Sequence, residues 1–364
     1  MADPLLFQPF ELRGVTMRNR LWVAPMCQYS AASEGDYIGA PNDWHLLHLG
    51  ALARGGAGLV MVEATSVVPE GRISPNDLGL WNDAQQQAFE RIVQLAHAHG
   101  AKIGIQLAHA GRKASTYTWR PGAPEGSVSI GEGGWPTVAP SAVAFEGLAD
   151  PRALTAGEVR EVIDAFVAGA ARAVAAGFDV VEIHAAHGYL MHEFLSPLSN
   201  LRDDAFGGSA EGRALPLRET VRAVRAAHPE LPIIVRLSGD EWVEGGFDVE
   251  SAAQLVGWLA ADGADMVDAS SAGNTAHAKI AVGPSYQVWI AERLRAEGLP
   301  VGAVGLITSS AQAEGILATG QADVISLGRP LLANPHLPIT WANELRAPSA
   351  PELTPVQYFR ARFA

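Results

Sequence analysis

Eight short apolar runs dominate this chain: 21–26, 58–63, 102–107, 179–184, 233–237, 265–269, 300–304 and 323–327. Most are nearly continuous rather than alternating, the pattern of parallel strands covered on both faces. Helical patterns lie between them, over 83–99, 155–176, 253–261 and 309–318. Thr155 and Glu158 have capping-box spacing. Gly100-Ala101, Gly177-Phe178 and Gly263-Ala264 repeat one helix-to-strand device, a loop closed by Gly. Eight strand–helix units favour a closed barrel over an open doubly wound sheet, although counting strands leaves closure open. The expected fold class is α/β, a (β/α)8 TIM barrel. The spacing breaks at 108–153, a stretch with Pro121, Pro124, Pro136, Pro140 and Pro151; loops this long are usually functional lids or excursions.

The chain has 364 residues. A barrel of this kind typically needs about 250 and exceeds 400 with insertions. No hydrophilic linker divides the chain, so one domain over 1–364 is expected, with the barrel at about 20–345. Residues 6–20 are expected to plug its N-terminal end, and 346–364 form a Pro-rich tail.

The 48% hydrophobic and 18% charged composition suits a large core. A net charge of −13 argues against a nucleic-acid surface. Cys27 stands alone, which excludes an intramolecular disulfide and an iron–sulfur cluster held by several cysteines. Met1-Ala2-Asp3-Pro4 lacks the basic and apolar regions of a signal peptide. No apolar run is long enough to span a bilayer. The cytoplasm is the expected compartment.

Active sites of such barrels lie at the C-terminal ends of the strands. Read in order, those ends present Pro25-Met26-Cys27-Gln28-Tyr29, Glu63-Ala64-Thr65, Gln106 with His109-Ala110-Gly111-Arg112-Lys113, His184-Ala185-Ala186-His187-Gly188-Tyr189, Arg236, Gly305 and Gly328-Arg329. His184 and His187 carry the sharpest signal. Each alone reads as a satisfied buried His. A metal site needs further ligands, and Glu182 and Glu193 complete no set, so no metal is expected. A third reading is a clamp: two imidazole N–H groups on one carbonyl oxygen, with Tyr189 placed to supply a proton. Gly305, Gly328 and Arg329 follow the last two strands, where phosphate sites are often built. Glycine there is also ordinary turn chemistry. Cys27 reads either as a small buried hydrophobe or as a thiol able to tune a neighbouring ring.

In their order along the chain, Pro25-Met26-Cys27-Gln28-Tyr29, Gly104-Ile105-Gln106-Leu107-Ala108-His109-Ala110-Gly111-Arg112-Lys113, His184-Ala185-Ala186-His187-Gly188-Tyr189 and Phe206-Gly207-Gly208-Ser209 resemble the Old Yellow Enzyme family. The branch they resemble is its thermophilic-like one, from about Leu6 to the C-terminus. The resemblance implies noncovalent FMN, with NADPH or NADH as hydride donor and an activated C=C bond as acceptor. Pro25, Met26 and Cys27 would line the flavin. Ala64, Gln106 and Arg236 would meet its polar edge, and Gly305, Gly328 and Arg329 its phosphate. His184 and His187 would bind the substrate's activating group, Tyr29 would touch substrate, and Tyr189 would be the proton donor. Pro355-Val356-Gln357-Tyr358-Phe359-Arg360 resembles the branch's terminal segment. It implies a homodimer or homotetramer in which Arg360 reaches a neighbouring active site. Two departures stand out: Gly212-Arg213-Ala214-Leu215, at an expected helix start, and the longer excursion over 114–141, which bears on substrate access. Two other readings remain, another FMN barrel such as a hydroxy-acid oxidase, and a non-catalytic flavin-binding barrel.

Overall fold

The structure, a computed structural model, describes residues 2–361. Its principal sheet is nine-stranded, and every strand except the two-residue Leu78–Gly79 belongs to one closed ring. In chain order the ring strands are β1 (Leu21–Val23), β2 (Leu59–Ser66), β3 (Lys102–Ala108), β4 (Val180–Ala185), β5 (Ile233–Ser238), β6 (Met266–Ser270), β7 (Val301–Ala303) and β8 (Val324–Leu327). All pair in parallel, and β1 closes the ring by pairing Leu21 with Ile325 and Trp22 with Leu59. The expected barrel is therefore present. Only β1 is much shorter than its apolar run, because the backbone leaves the sheet after Val23 and carries Pro25, Met26 and Cys27 out over the barrel mouth.

Strand alternation sorts the side chains. Val60, Ile103, Ile105, Val181, Ile183 and Val235 face outward and are buried against Phe89, Phe166 and Leu259 of the surrounding helices. Leu59, Met61, Val180, Ile234, Met266 and Val324 face inward at the bottom of the barrel. The hairpin Phe10–Leu12 and Val15–Met17 adds Leu12 and Met17 to that inner cluster, the plug expected of residues 6–20.

The capped helices stand where the sequence placed them. Asp83–Ala98 and Ala156–Ala176 both begin with capping boxes, the second made by Thr155 and Glu158. Gly177 and Gly263 close their helices in the left-handed conformation. Asp43–Arg54, Ala210–Ala227 and Val288–Arg295 complete the outer ring. Ala210–Ala227 contains Pro216, which interrupts its helical signature, and its first turn holds the divergent Gly212 and Arg213. Residues 109–153 are ordered by local contacts over the mouth. Trp135 Nε1 donates to Glu70 O at 2.7 Å, and the Arg72 guanidinium stacks on Trp135. No helix among the described residues is long and apolar enough to cross a membrane.

Candidate active site

Above the apolar bottom, the inward positions turn polar. Register sets Gln106 beside Glu182, and Arg236 beside both His184 and Asp268. A register shift between Val62 and Ala64, a β-bulge, pairs Ala64 with Gln106; bulges re-aim side chains in this way. Gln106 Nε2 donates to Glu182 Oε1 at 2.6 Å. Arg236 Nε lies 3.5 Å from Asp268 Oδ2, an ion-pair contact without a hydrogen bond. Burial lifts the Glu182 carboxyl to about 8, with Asp268 adding to the shift and Arg236 opposing it.

A cavity of about 600 Å³ opens from this layer, walled by Pro25, Met26, Arg236, Gly305, Gly328 and Arg329. Six positions read from four strand ends thus converge on one space. Gly305 has φ +114°, and a Cβ there would meet the Gln287 side chain at 2.9 Å. Arg329 is exposed at the rim. FMN fits this cavity. Its ring edge would meet a buried guanidinium nitrogen with no hydrogen bond of its own, and its phosphate a bare backbone beside an exposed cation.

Cys27 packs with Ala64, Ala108, Ala110 and Tyr189. Burial, then the Asp77 and Glu63 carboxylates, push its thiol well above the usual range, so it is not a thiolate nucleophile at neutral pH. Tyr29 has φ +50°. Burial raises its phenol as well.

The His184 ring centroid lies 5.2 Å from that of His187 and 5.0 Å from that of Tyr189, both nearly perpendicular. The chain reaches this arrangement through two left-handed residues, His187 at φ +60° and Gly188 at φ +71°. A Cβ on Gly188 would sit 2.2 Å from Gly273 O, so only glycine fits there. Burial, followed by the Arg236 charge, holds both imidazoles well below their ordinary value. Burial, followed by Cys27 and Tyr29, holds the Tyr189 phenol well above 10. At neutral pH the triad is two neutral imidazoles and a protonated phenol.

Lys113 went unassigned in the sequence, although it ends the Arg112-Lys113 pair after β3. Its Nζ donates to His187 O at 2.8 Å and Gly273 O at 2.9 Å, and it lies 5.1 Å from the Tyr189 ring. Burial lowers it to about 8. Arg112 Nη2 donates to Asn274 O and Oδ1. Two cations directly after an apolar strand were the available signal. A second cavity, of about 680 Å³, has Tyr189 and Lys113 at its base and Trp119, Arg120 and Phe145 of the excursion in its walls. Arg360 is exposed, its guanidinium over the Phe359 ring, and is not part of this chain's own site. The rest of the tail, 362–364, lies outside the described residues.

Residues 5–347 match the NADH:flavin oxidoreductase / NADH oxidase family. The chain is 45% identical over 360 residues to an NADPH dehydrogenase of Geobacillus thermodenitrificans, covering 98% of each chain. It is 44% identical over 357 residues to an NADPH dehydrogenase of Halalkalibacterium halodurans, again covering 98% of each. Among solved structures, an old yellow enzyme homologue from Zymomonas mobilis superposes with a TM-score of 0.78 at 29% identity, covering 94% of this chain and 93% of that one. Morphinone reductase in complex with tetrahydroNAD gives 0.77 at 28% identity, covering 96% and 94%. The chain belongs to the NADH:flavin oxidoreductase / NADH oxidase family, that of the Old Yellow Enzyme, and is an oxidoreductase that uses FMN with NAD(P)H.

Proposed function

We propose that this enzyme is an ene-reductase acting on activated alkenes: α,β-unsaturated carbonyls, nitroalkenes and maleimides. The observation that carries the reading is the meeting of His184, His187 and Tyr189 at the barrel mouth. Bound FMN would supply the hydride chemistry that links NADPH or NADH to the alkene's β-carbon. Pro25, Met26, Cys27, Ala64, Gln106 and Arg236 would hold its ring, and Gly305, Gly328 and Arg329 its phosphate, without a covalent link.

The protein's own task is to hold the activating group and return a proton. His184 Nδ1 accepts from Ala186 N at 3.3 Å, so its proton sits on Nε2. Ser270 Oγ is 2.8 Å from His187 Nε2 and 3.3 Å from Gln287 Oε1, and Ser271 already serves Gln287 at 2.7 Å. We assign the Ser270 proton to His187 Nε2, which leaves Nδ1–H as a donor. Two N–H groups then share the substrate oxygen and stabilise charge as it develops there. Tyr29 contacts the substrate beside them. Tyr189 protonates the α-carbon; with its pKa raised it stays protonated throughout the neutral range. A hydroxy-acid oxidase would need a strong base in this position, and desolvated imidazoles are weak ones. The unit is taken as a single domain over 1–364, cytoplasmic, acting on small molecules as a homodimer or homotetramer with Arg360 closing a neighbouring site.

Tyr189→Phe removes only the proton. Proton transfer by a placed side chain contributes a factor of about 10²–10⁴. In stopped flow, flavin reduction by NADPH should keep its rate while reoxidation by cyclohexenone slows by about that factor. A nitroalkene should suffer less, because its nitronate product is protonated in water. Equal slowing of both half-reactions, or an unaffected enone step, would remove Tyr189 from the role.

The imidazoles set a pH dependence. Ordinary histidine titrates near about 6.5. A folded-state value depressed by burial keeps both rings neutral as pH falls through that region. Reoxidation by enone should therefore be flat between about pH 6 and 7.5; a step centred near 6.5 would show that the pair titrates freely.

Arg360→Ala should raise the KM for substrate or nicotinamide several-fold in a protein whose melting temperature is unchanged. A fully active, strictly monomeric wild-type enzyme would exclude the shared site.

A further inference from the structure

His192 and Glu241 have no place in the chemistry above, yet both side chains are completely buried. His192 lies on the short helix Leu190–Leu195, which follows Tyr189 directly. Its Nδ1 accepts the Gly188 N–H at 2.9 Å. The ring proton is therefore on Nε2, which lies 3.2 Å from Glu241 Oε1, off the line of an ideal donation. Glu241 is itself fixed by Ser196 Oγ at 2.9 Å, Phe247 N at 2.8 Å and Asn274 Nδ2 at 2.8 Å. Gly188 is the last residue before Tyr189 and sits in the left-handed turn. The flanking amides are also held, His187 N by Ser238 Oγ and Tyr189 N by Ala186 O. Only the central one, at Gly188, depends on a side chain paired with a carboxylate.

A related pair, with the roles exchanged, is tied to the other tyrosine. His45 Nε2 is 3.2 Å from Glu63 Oε1, and here the carboxylate rather than the imidazole holds the amide, Glu63 Oε2 accepting from Gln28 N. Gln28 is the residue before Tyr29, which is itself left-handed at φ +50°, whereas Tyr189 is extended and follows the left-handed pair His187-Gly188. A packing role would account for one buried imidazole–carboxylate pair. Two such pairs, each tied to the amide preceding a tyrosine at the barrel mouth, point to aiming.

We propose that His192, oriented by Glu241, is a positioning residue that aims Tyr189 by holding the Gly188 amide. The proposal rests on the reading of Tyr189 as proton donor. A misplacement of about 1 Å at a reacting group costs on the order of 10²-fold.

His192→Leu removes the acceptor, whereas His192→Asn returns an oxygen at the branch where Nδ1 stood. With FMN-loaded enzyme, His192→Leu should slow reoxidation by cyclohexenone by about 10- to 100-fold and leave reduction by NADPH unchanged. His192→Asn should restore the enone step to within a few-fold. In the Tyr189→Phe background, His192→Leu should add no further slowing. Amide exchange over 187–190 should accelerate in His192→Leu and not in His192→Asn. If leucine at 192 does not fold, Glu241→Gln replaces it: one amide NH₂ must then face a donor, and the same pattern is expected. Equal slowing in the wild-type and Tyr189→Phe backgrounds, or unchanged exchange at Gly188, would overturn the proposal. An enone step untouched by Tyr189→Phe alone would instead sink the donor reading, and exchange would still decide whether the pair holds the turn.

Discussion

Because the sheet closes on itself, every second residue of each strand points into a narrow interior that side chains must fill. Everything else about this enzyme follows from how that interior is layered. Its bottom is apolar and sealed by the hairpin residues Leu12 and Met17. One step higher, parallel register sets Gln106 beside Glu182, and Arg236 beside both His184 and Asp268. An apolar floor beneath a polar layer gives ionisable groups few water contacts, so each protonation state is decided by neighbours rather than by solvent.

Desolvation is accordingly the leading cause of the shift at His184, His187, Tyr189, Cys27 and Glu182 alike. It acts in opposite directions on bases and acids, and the outcome is chemically consistent: neutral imidazoles beside a protonated phenol and a protonated thiol. Such a site donates hydrogen bonds and a proton and accepts neither readily. That suits charge developing on a carbonyl oxygen, and it does so with groups set before substrate arrives.

The barrel was legible because burial on both faces writes itself as continuous apolar sequence, and because Thr155, Glu158, Gly177 and Gly263 mark helix ends locally. His184, His187 and Tyr189 were legible as polar residues at the end of such a run. What escaped reading was non-local. Nothing near Glu63 announces the bulge that re-registers Ala64. Lys113 gains its meaning only from carbonyls of residues 187 and 273. His192 and Glu241 lie 49 positions apart and look like separate polar residues until the barrel joins them. Helix Ala210–Ala227 was expected at its start, but its length was obscured by Pro216, which the structure tolerates in the second turn.

The central claim is that this arrangement reduces a C=C bond, with hydride entering at the β-carbon and a proton from the tyrosine side at the α-carbon. Isotopic labelling of 2-methylcyclohexenone tests it most directly. Reaction with unlabelled NADPH in D₂O should place deuterium at the α-carbon, and reaction with 4-deuterated NADPH in H₂O should place it at the β-carbon, on the opposite face, with the carbonyl intact. Deuterium on the carbonyl carbon of an alcohol product, or the two labels on the same face, would contradict the account.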